Sequence, residues 1–244
     1  MKTVLFEKAV NLLKLNKAVD YHVLDFGCGK GELLGLLSGS VGANSRLVGY
    51  DATEASIAGA RANYPDLEFI CDRFVRDLPF ADASFDLVVT IDTLECLTNK
   101  EALVKEMHRI VKPGGHVLAM HWDWETQIYN VPSRALARKA VWAFSDWKQP
   151  WMDAADGQMG RQLWGLFEGS GKFHGTADSF CLIETAYEAG TYGYDRAQDL
   201  AAVVTAGGLD KSDYEQLCRE LSESYQRGDY FYSLTSFIYH GQRI

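Results

Sequence analysis

Along the first half of the chain, short unbroken apolar runs alternate with stretches in which apolar positions recur every three or four residues. Tyr21–Asp25, Arg46–Tyr50, Leu67–Cys71, Phe85–Ile91 and His116–His121 are of the first kind and read as strands. Glu32–Leu37, Glu54–Asn63 and Lys100–Val111 are of the second kind and read as helices, as does the amphipathic start MKTVLFEKAVNLLKLNKAVD. Strands without a polar face are covered on both sides, so this β-α-β rhythm predicts an α/β fold with a doubly wound, mostly parallel sheet. KPGG at Lys112–Gly115 predicts a helix stop and a turn before the fifth strand.

The second half changes character. All six tryptophans fall between Trp122 and Trp164, where Pro132 and Pro150 interrupt any helical pattern. Beyond them the pattern predicts a helix over Arg161–Phe167, a strand near Phe180–Tyr187, helices near Arg196–Ala206 and Lys211–Arg227, and a closing strand over Tyr230–Tyr239. One domain across 1–244 is expected. It would carry a helical lid at 122–160, inserted after the fifth strand, and a helical segment at 188–228.

Composition narrows the partners. The 244 residues carry a net charge of −9 with no basic run, which disfavours nucleic acid and anionic membranes and leaves a small molecule as the expected partner. No apolar stretch is long enough to span a bilayer, and Glu7, Lys8 and Lys14 break up the apolar core a secretory signal would need. Five scattered cysteines form no zinc-binding or redox pattern, so free thiols in a reducing cytoplasm are expected. No metal and a monomer or homodimer are expected as well.

The densest chemical signal is VLDFGCGKGELL, Val23 to Leu34. Gly27, Gly29 and Gly31 let a strand turn sharply into a helix, and such a turn holds a nucleotide cofactor where N–H groups and the helix dipole point outward. A dinucleotide site wants G-x-G-x-x-G; here the third glycine comes one position early. Asp25, two residues before the first glycine, would repel a pyrophosphate. A cofactor without phosphates, such as the sulfonium compound S-adenosylmethionine (SAM), tolerates that carboxylate.

The arrangement D-x-G-x-G-x-G resembles motif I of the class I SAM-dependent methyltransferases, and the resemblance runs from about Tyr21 to His121. VGYDAT resembles the second-strand motif, FICDR the adenine-contacting motif, and LPFADASFDLVVTIDTLECL with EMHRIVKPGG the later motifs of the ubiquinone-biosynthesis-like, type 11 branch. The resemblance implies a Rossmann-like sheet of seven strands with the last antiparallel, and SAM as cofactor. Asp25, Gly27, Cys28 and Gly29 would then form the turn. Asp51 with Ala52 would take the ribose, Asp72 and the N–H of Arg73 the adenine, and Thr90 would line the methionine side. Cys96 stands where the family commonly has histidine and inherits no role.

Methyl transfer from a sulfonium is an in-line displacement, so orientation and exclusion of water supply most of what the protein must do. A base is needed only where the acceptor starts protonated. His121 ends the fifth strand at the edge that faces ligands in open α/β sheets, and is the candidate base. Asp123, two residues on, is the candidate to orient it, with Glu125 a weaker one. Asp92, after the fourth strand, reads first as a solvated or capping carboxylate, with contact to cofactor or substrate as the alternative. Carboxylates after both strands would also suit a metal-dependent catechol-type enzyme, although the local motifs do not resemble that family. Trp122, Trp124 and Tyr129 are the candidates for stacking on a planar substrate. The expected function is methyl transfer to oxygen or nitrogen of a small aromatic or heterocyclic metabolite. The alternatives are a nicotinamide-dependent oxidoreductase and a non-catalytic SAM-binding protein.

Overall fold

A computed structural model describes residues 3–244. Its elements in chain order are α1 (Thr3–Leu13), β1 (His22–Phe26), α2 (Glu32–Ser38), β2 (Arg46–Asp51), α3 (Glu54–Asn63), β3 (Glu68–Cys71) and β4 (Phe85–Ile91). They continue with α4 (Lys100–Ile110), β5 (Val111–Tyr129), α5 (Arg134–Ser145), α6 (Met159–Phe167), β6 (Phe173–Glu184), α7 (Tyr192–Thr205), α8 (Lys211–Arg227) and β7 (Tyr232–Arg243). The seven strands form one sheet in the order β3-β2-β1-β4-β5-β7-β6. β1 pairs in parallel with β2 and β4, β2 with β3, and β4 with β5.

β7 runs against its neighbours. The N–H of Asn130, just past β5, donates to the carbonyl of Phe231, whereas Arg243 at the other end of β7 donates to the carbonyl of Val111. The N–H of Ile244 donates to Lys172, just before β6. β7 is thus antiparallel to both strands, as the resemblance implies.

β6 starts at Phe173, well before the strand expected near Phe180–Tyr187, and two further segments differ from the sequence reading. β5 is 19 residues long, because the KPGG run lies within it. Gly114 has a φ of 75°, and the β4–β5 register slips between Phe85 and Leu87. The glycines therefore make a bulge inside the ladder in place of a turn ahead of it. The prolines near 132 and 150 bracket a helix instead of breaking one: Pro132 precedes the cap residue Ser133, and α5 ends at Ser145. Glu220 of α8 fixes the start of α5 by accepting from both the N–H and the hydroxyl of Ser133.

The described residues divide into two compact units. One holds 3–121, 162–178 and 238–244; the other holds 122–161 and 179–237. In the first, Leu24, Val48, Val89, Leu103, Met107 and Leu118 are fully buried or nearly so, which is how a parallel sheet with helices on both faces is held together. In the second, Trp122, Leu217, Leu221, Tyr232 and Leu234 form the core.

Candidate functional site

The turn between β1 and α2 is built by backbone. Gly27 has a φ of 81°, and a Cβ there would lie 2.1 Å from Thr93 Oγ1, so both conformation and space demand glycine. Gly29 also has positive φ, 54°, yet an added Cβ would meet nothing within 4 Å, so its outer side is open. The N–H groups of Gly27 and Cys28 donate to the carbonyl of Tyr50 at 2.8 and 3.2 Å, that of Gly31 to the carbonyl of Cys28, and that of Gly29 to Asp51 Oδ2 at 2.9 Å. Four N–H donors of the turn are consumed inside it, three of them by the carbonyl and the carboxylate that end β2.

That arrangement discriminates between cofactors. A pyrophosphate needs free N–H donors, and these four are committed. A sulfonium with an ammonium group needs acceptors, and carboxylates flank the turn: Asp25 is buried on β1, and Asp51 ends β2. The other oxygen of Asp51 accepts from the N–H of Thr53 at 2.8 Å, and each carboxylate oxygen keeps a lone pair for a hydroxyl. Cys28 is buried, and burial followed by the charges of Asp25 and Asp51 pushes its thiol up, so it is a packed wall and not a nucleophile. Ala52, Asp72 and Arg73 are exposed. The N–H of Asp72 binds the carbonyl of Asp51, and that of Arg73 its neighbour's Oδ1. Thr90 is buried, and its hydroxyl has no hydrogen-bond partner among the described residues. A hollow of about 40 Å³ at the turn is lined by Phe6, Asp25, Gly27, Cys28, Gly29, Glu32 and Ile91.

At the carboxyl ends of β4 and β5 three ionisable side chains converge. His121 is fully buried, and its Nε2 lies 3.7 Å from Asp92 Oδ1. Glu95 is also buried, and one donor atom from each of the three lies within 4.8 Å of the others. Asp92 has a φ of 55°, unusual for a residue other than glycine, and its N–H extends the ladder to the carbonyl of Met120. Asp123 faces a different partner. Its buried carboxylate takes both Nε and Nη2 of Arg161 at 2.5 and 2.6 Å, and Glu125 takes Nη1 at 3.2 Å. Hydrogen bonding to Asp123 holds the Arg161 guanidinium above its usual range. Sequence spacing singled out Asp92 and His121 but passed over Glu95, although its place three residues after Asp92 was visible. Arg161 lies 38 positions from Asp123, and no local pattern joins them.

The aromatic candidates are buried. Trp122 packs on Tyr192 and Phe180, Trp124 on Phe144, and Tyr129 on Tyr232. The exposed tryptophans are Trp142, Trp151 and Trp164. Tyr129 and Trp142 both line a cavity of about 720 Å³ within the second unit, with Arg134, Arg138 and Ile128 also on its wall.

Residues 24–119 match the family model of the methyltransferase domain, type 11. Over that stretch the chain is similar to the class I, SAM-dependent methyltransferases of that branch. Over 114 residues it is 34% identical to the chloroplastic 2-phytyl-1,4-beta-naphthoquinone methyltransferase of Arabidopsis thaliana, covering 43% of each chain. It is 28% identical over 133 residues to a ubiquinone/menaquinone biosynthesis C-methyltransferase of Burkholderia cenocepacia, covering 52% of this chain and 55% of that one. The matches thus span about half the length of these relatives. A crystal structure of a putative methyltransferase from Bacillus halodurans has the same fold, with a TM-score of 0.64 and 18% identity, covering 97% of each chain.

Proposed function

We propose that the protein transfers a methyl group from SAM to an oxygen or nitrogen of a small, planar aromatic or heterocyclic metabolite. The observation that carries this reading is the glycine turn, with its N–H groups committed and carboxylates on either side. A nicotinamide-dependent oxidoreductase would need those N–H groups for phosphate. Bound at the turn, SAM supplies a methyl on cationic sulfur, which passes to the acceptor as the C–S bond breaks, the new bond forms and the acceptor proton leaves.

The chain's own residues orient and enclose. Asp51 takes the ribose hydroxyls while fixing the turn through Gly29. Asp25 and the buried hydroxyl of Thr90 serve the methionine end, and the exposed Ala52, Asp72 and Arg73 leave the adenine side accessible from solvent. Phe6 on α1 and Ile91 close the apolar side of the hollow at the turn. Handling of the acceptor proton falls to the cluster around His121; Asp123, held by Arg161, braces the second unit. Within the second unit, Tyr129 and Trp142 offer rings for aromatic contact on the wall of its cavity.

Incubation with methyl-labelled SAM and a metabolite extract tests the reading. Label should enter a small molecule, on oxygen or nitrogen by NMR. The Burkholderia cenocepacia relative is named as a C-methyltransferase, so label on ring carbon would correct the atom accepted while keeping the reaction. No labelled product from any extract would leave only a SAM-binding protein.

A further inference from the structure

We propose that Asp92, Glu95 and His121 form a binding site for a divalent transition-metal cation such as Mn²⁺ or Zn²⁺. This rests on the methyltransferase reading only for its consequence, not for its geometry.

The geometry stands on three observations. The first is the donor set: two carboxylates and an imidazole, with one donor atom from each within 4.8 Å of the others. Mixed oxygen and nitrogen donors suit Mn²⁺ or Zn²⁺ better than Ca²⁺, which takes oxygen throughout. The second is the spacing of His121 Nε2 and Asp92 Oδ1, 3.7 Å. That is too long for a hydrogen bond. Two ligands bound at roughly 2.1 Å to one ion lie about 3 to 4 Å apart, depending on the angle between them. The observed spacing falls in that range. The third is the backbone at Asp92, where a φ of 55° is held in place by a ladder hydrogen bond to Met120. A sparsely populated conformation persists where surrounding structure enforces it, and such conformations cluster at functional sites.

The ligands come from three places in the fold. Asp92 leaves the end of β4, Glu95 sits in the short turn Leu94–Cys96, and His121 lies on β5 where its pairing with β4 ends. The sequence spacing had suggested Asp123 for this neighbourhood, but Arg161 holds that carboxylate. Protein ligands on one side of the ion leave its remaining positions for water or an acceptor oxygen. The chemical class of acceptor that follows is an oxygen nucleophile that can bind the cation as its anion, a phenolate or enolate. The cation lowers the pKa of a bound hydroxyl and fixes the oxygen for in-line attack.

Mn²⁺ titration of the full chain, followed by electron paramagnetic resonance and calorimetry, tests the site. One Mn²⁺ per chain should bind, and the loaded wild-type protein should show nitrogen modulation from a coordinated imidazole. Asp92→Asn and Glu95→Gln should each weaken binding at least tenfold, and His121→Gln should abolish the nitrogen signal, while Glu125→Gln changes neither. The nitrogen signal is read on unmutated protein, so a variant that fails to fold does not decide the matter. Absence of stoichiometric binding, or binding without nitrogen modulation, overturns the proposal. Calorimetry with SAM on the same samples keeps the two readings apart: SAM binding without Mn²⁺ binding removes the cation site alone, and loss of SAM binding removes the methyltransferase reading.

Discussion

The glycine turn of the first unit and the aromatic core of the second reach their order by opposite means. At the turn, side chains are kept out. Gly27 admits no Cβ, Gly29 leaves its outer side open, and the positions of a few N–H groups decide which cofactor fits. In the second unit, side chains are everything: Trp122, Trp124 and Tyr129 are each under a tenth exposed and fill space against other rings. Recognition by backbone needs few residues at fixed spacing, whereas packing by rings needs volume and tolerates many arrangements.

Substitutions sharpen that contrast, the largest first. Trp122→Ala removes a fully buried ring and should lower unfolding stability by about 3–5 kcal/mol. Trp142→Ala removes an exposed ring and should change stability by no more than about 0.5 kcal/mol. If Trp142 meets the acceptor, the same change raises KM and spares kcat. Equal stability losses in chemical denaturation would contradict the division between buried and exposed rings.

Asp51→Ala should weaken SAM binding by about 1.5–3 kcal/mol, roughly ten- to a hundredfold, by removing charge-assisted hydrogen bonds. Unchanged affinity in calorimetry would remove Asp51 from the ribose site. Gly29→Ala separates recognition from folding more finely. Its cost in stability should be about 1–2 kcal/mol for the left-handed backbone, since the Cβ meets nothing. The loss of SAM affinity should exceed that of stability, because the new methyl points where the cofactor sits.

The smallest effect concerns pH. His116 and His240 pack as a tilted pair with ring centroids 5.2 Å apart, and burial pushes both imidazoles below their ordinary value, with His116 adding to the effect at His240. The unfolded chain takes up these protons at higher pH than the folded one. The stability contributed by the neutral pair is therefore complete above the unfolded value, about 6.5, and is lost as pH falls through the folded values. Melting temperature should drop more steeply between pH 7.5 and 5.5 for the wild type than for His240→Asn. Identical slopes would contradict this.

How much of this was legible in the sequence follows the same contrast. The parallel strands β1 to β4 could be read because an unbroken apolar run has one meaning once helices flank it. Asp51 and Gly29 could be placed because their spacing is set by the chain between adjacent strands. β5 was read short, and α5 was left without bounds inside the expected helical lid, because glycine and proline were taken as stops. A bulge accommodates the glycines, and Pro132 sits outside the helix it introduces. The His121 cluster was half visible. Asp92 and His121 end neighbouring strands, but Glu95 joins them only through the short turn after β4, and Asp123 is drawn off by Arg161 from a helix far along the chain. Pairings between distant segments leave no periodic trace in one sequence.

The turn's choice of cofactor is decided most directly by isothermal calorimetry of the purified protein against SAM, its demethylated product and NADPH in parallel. One equivalent of the sulfonium compound or its product should bind while NADPH gives no heat. Saturable binding of NADPH with no heat from either adenosyl compound would contradict the account.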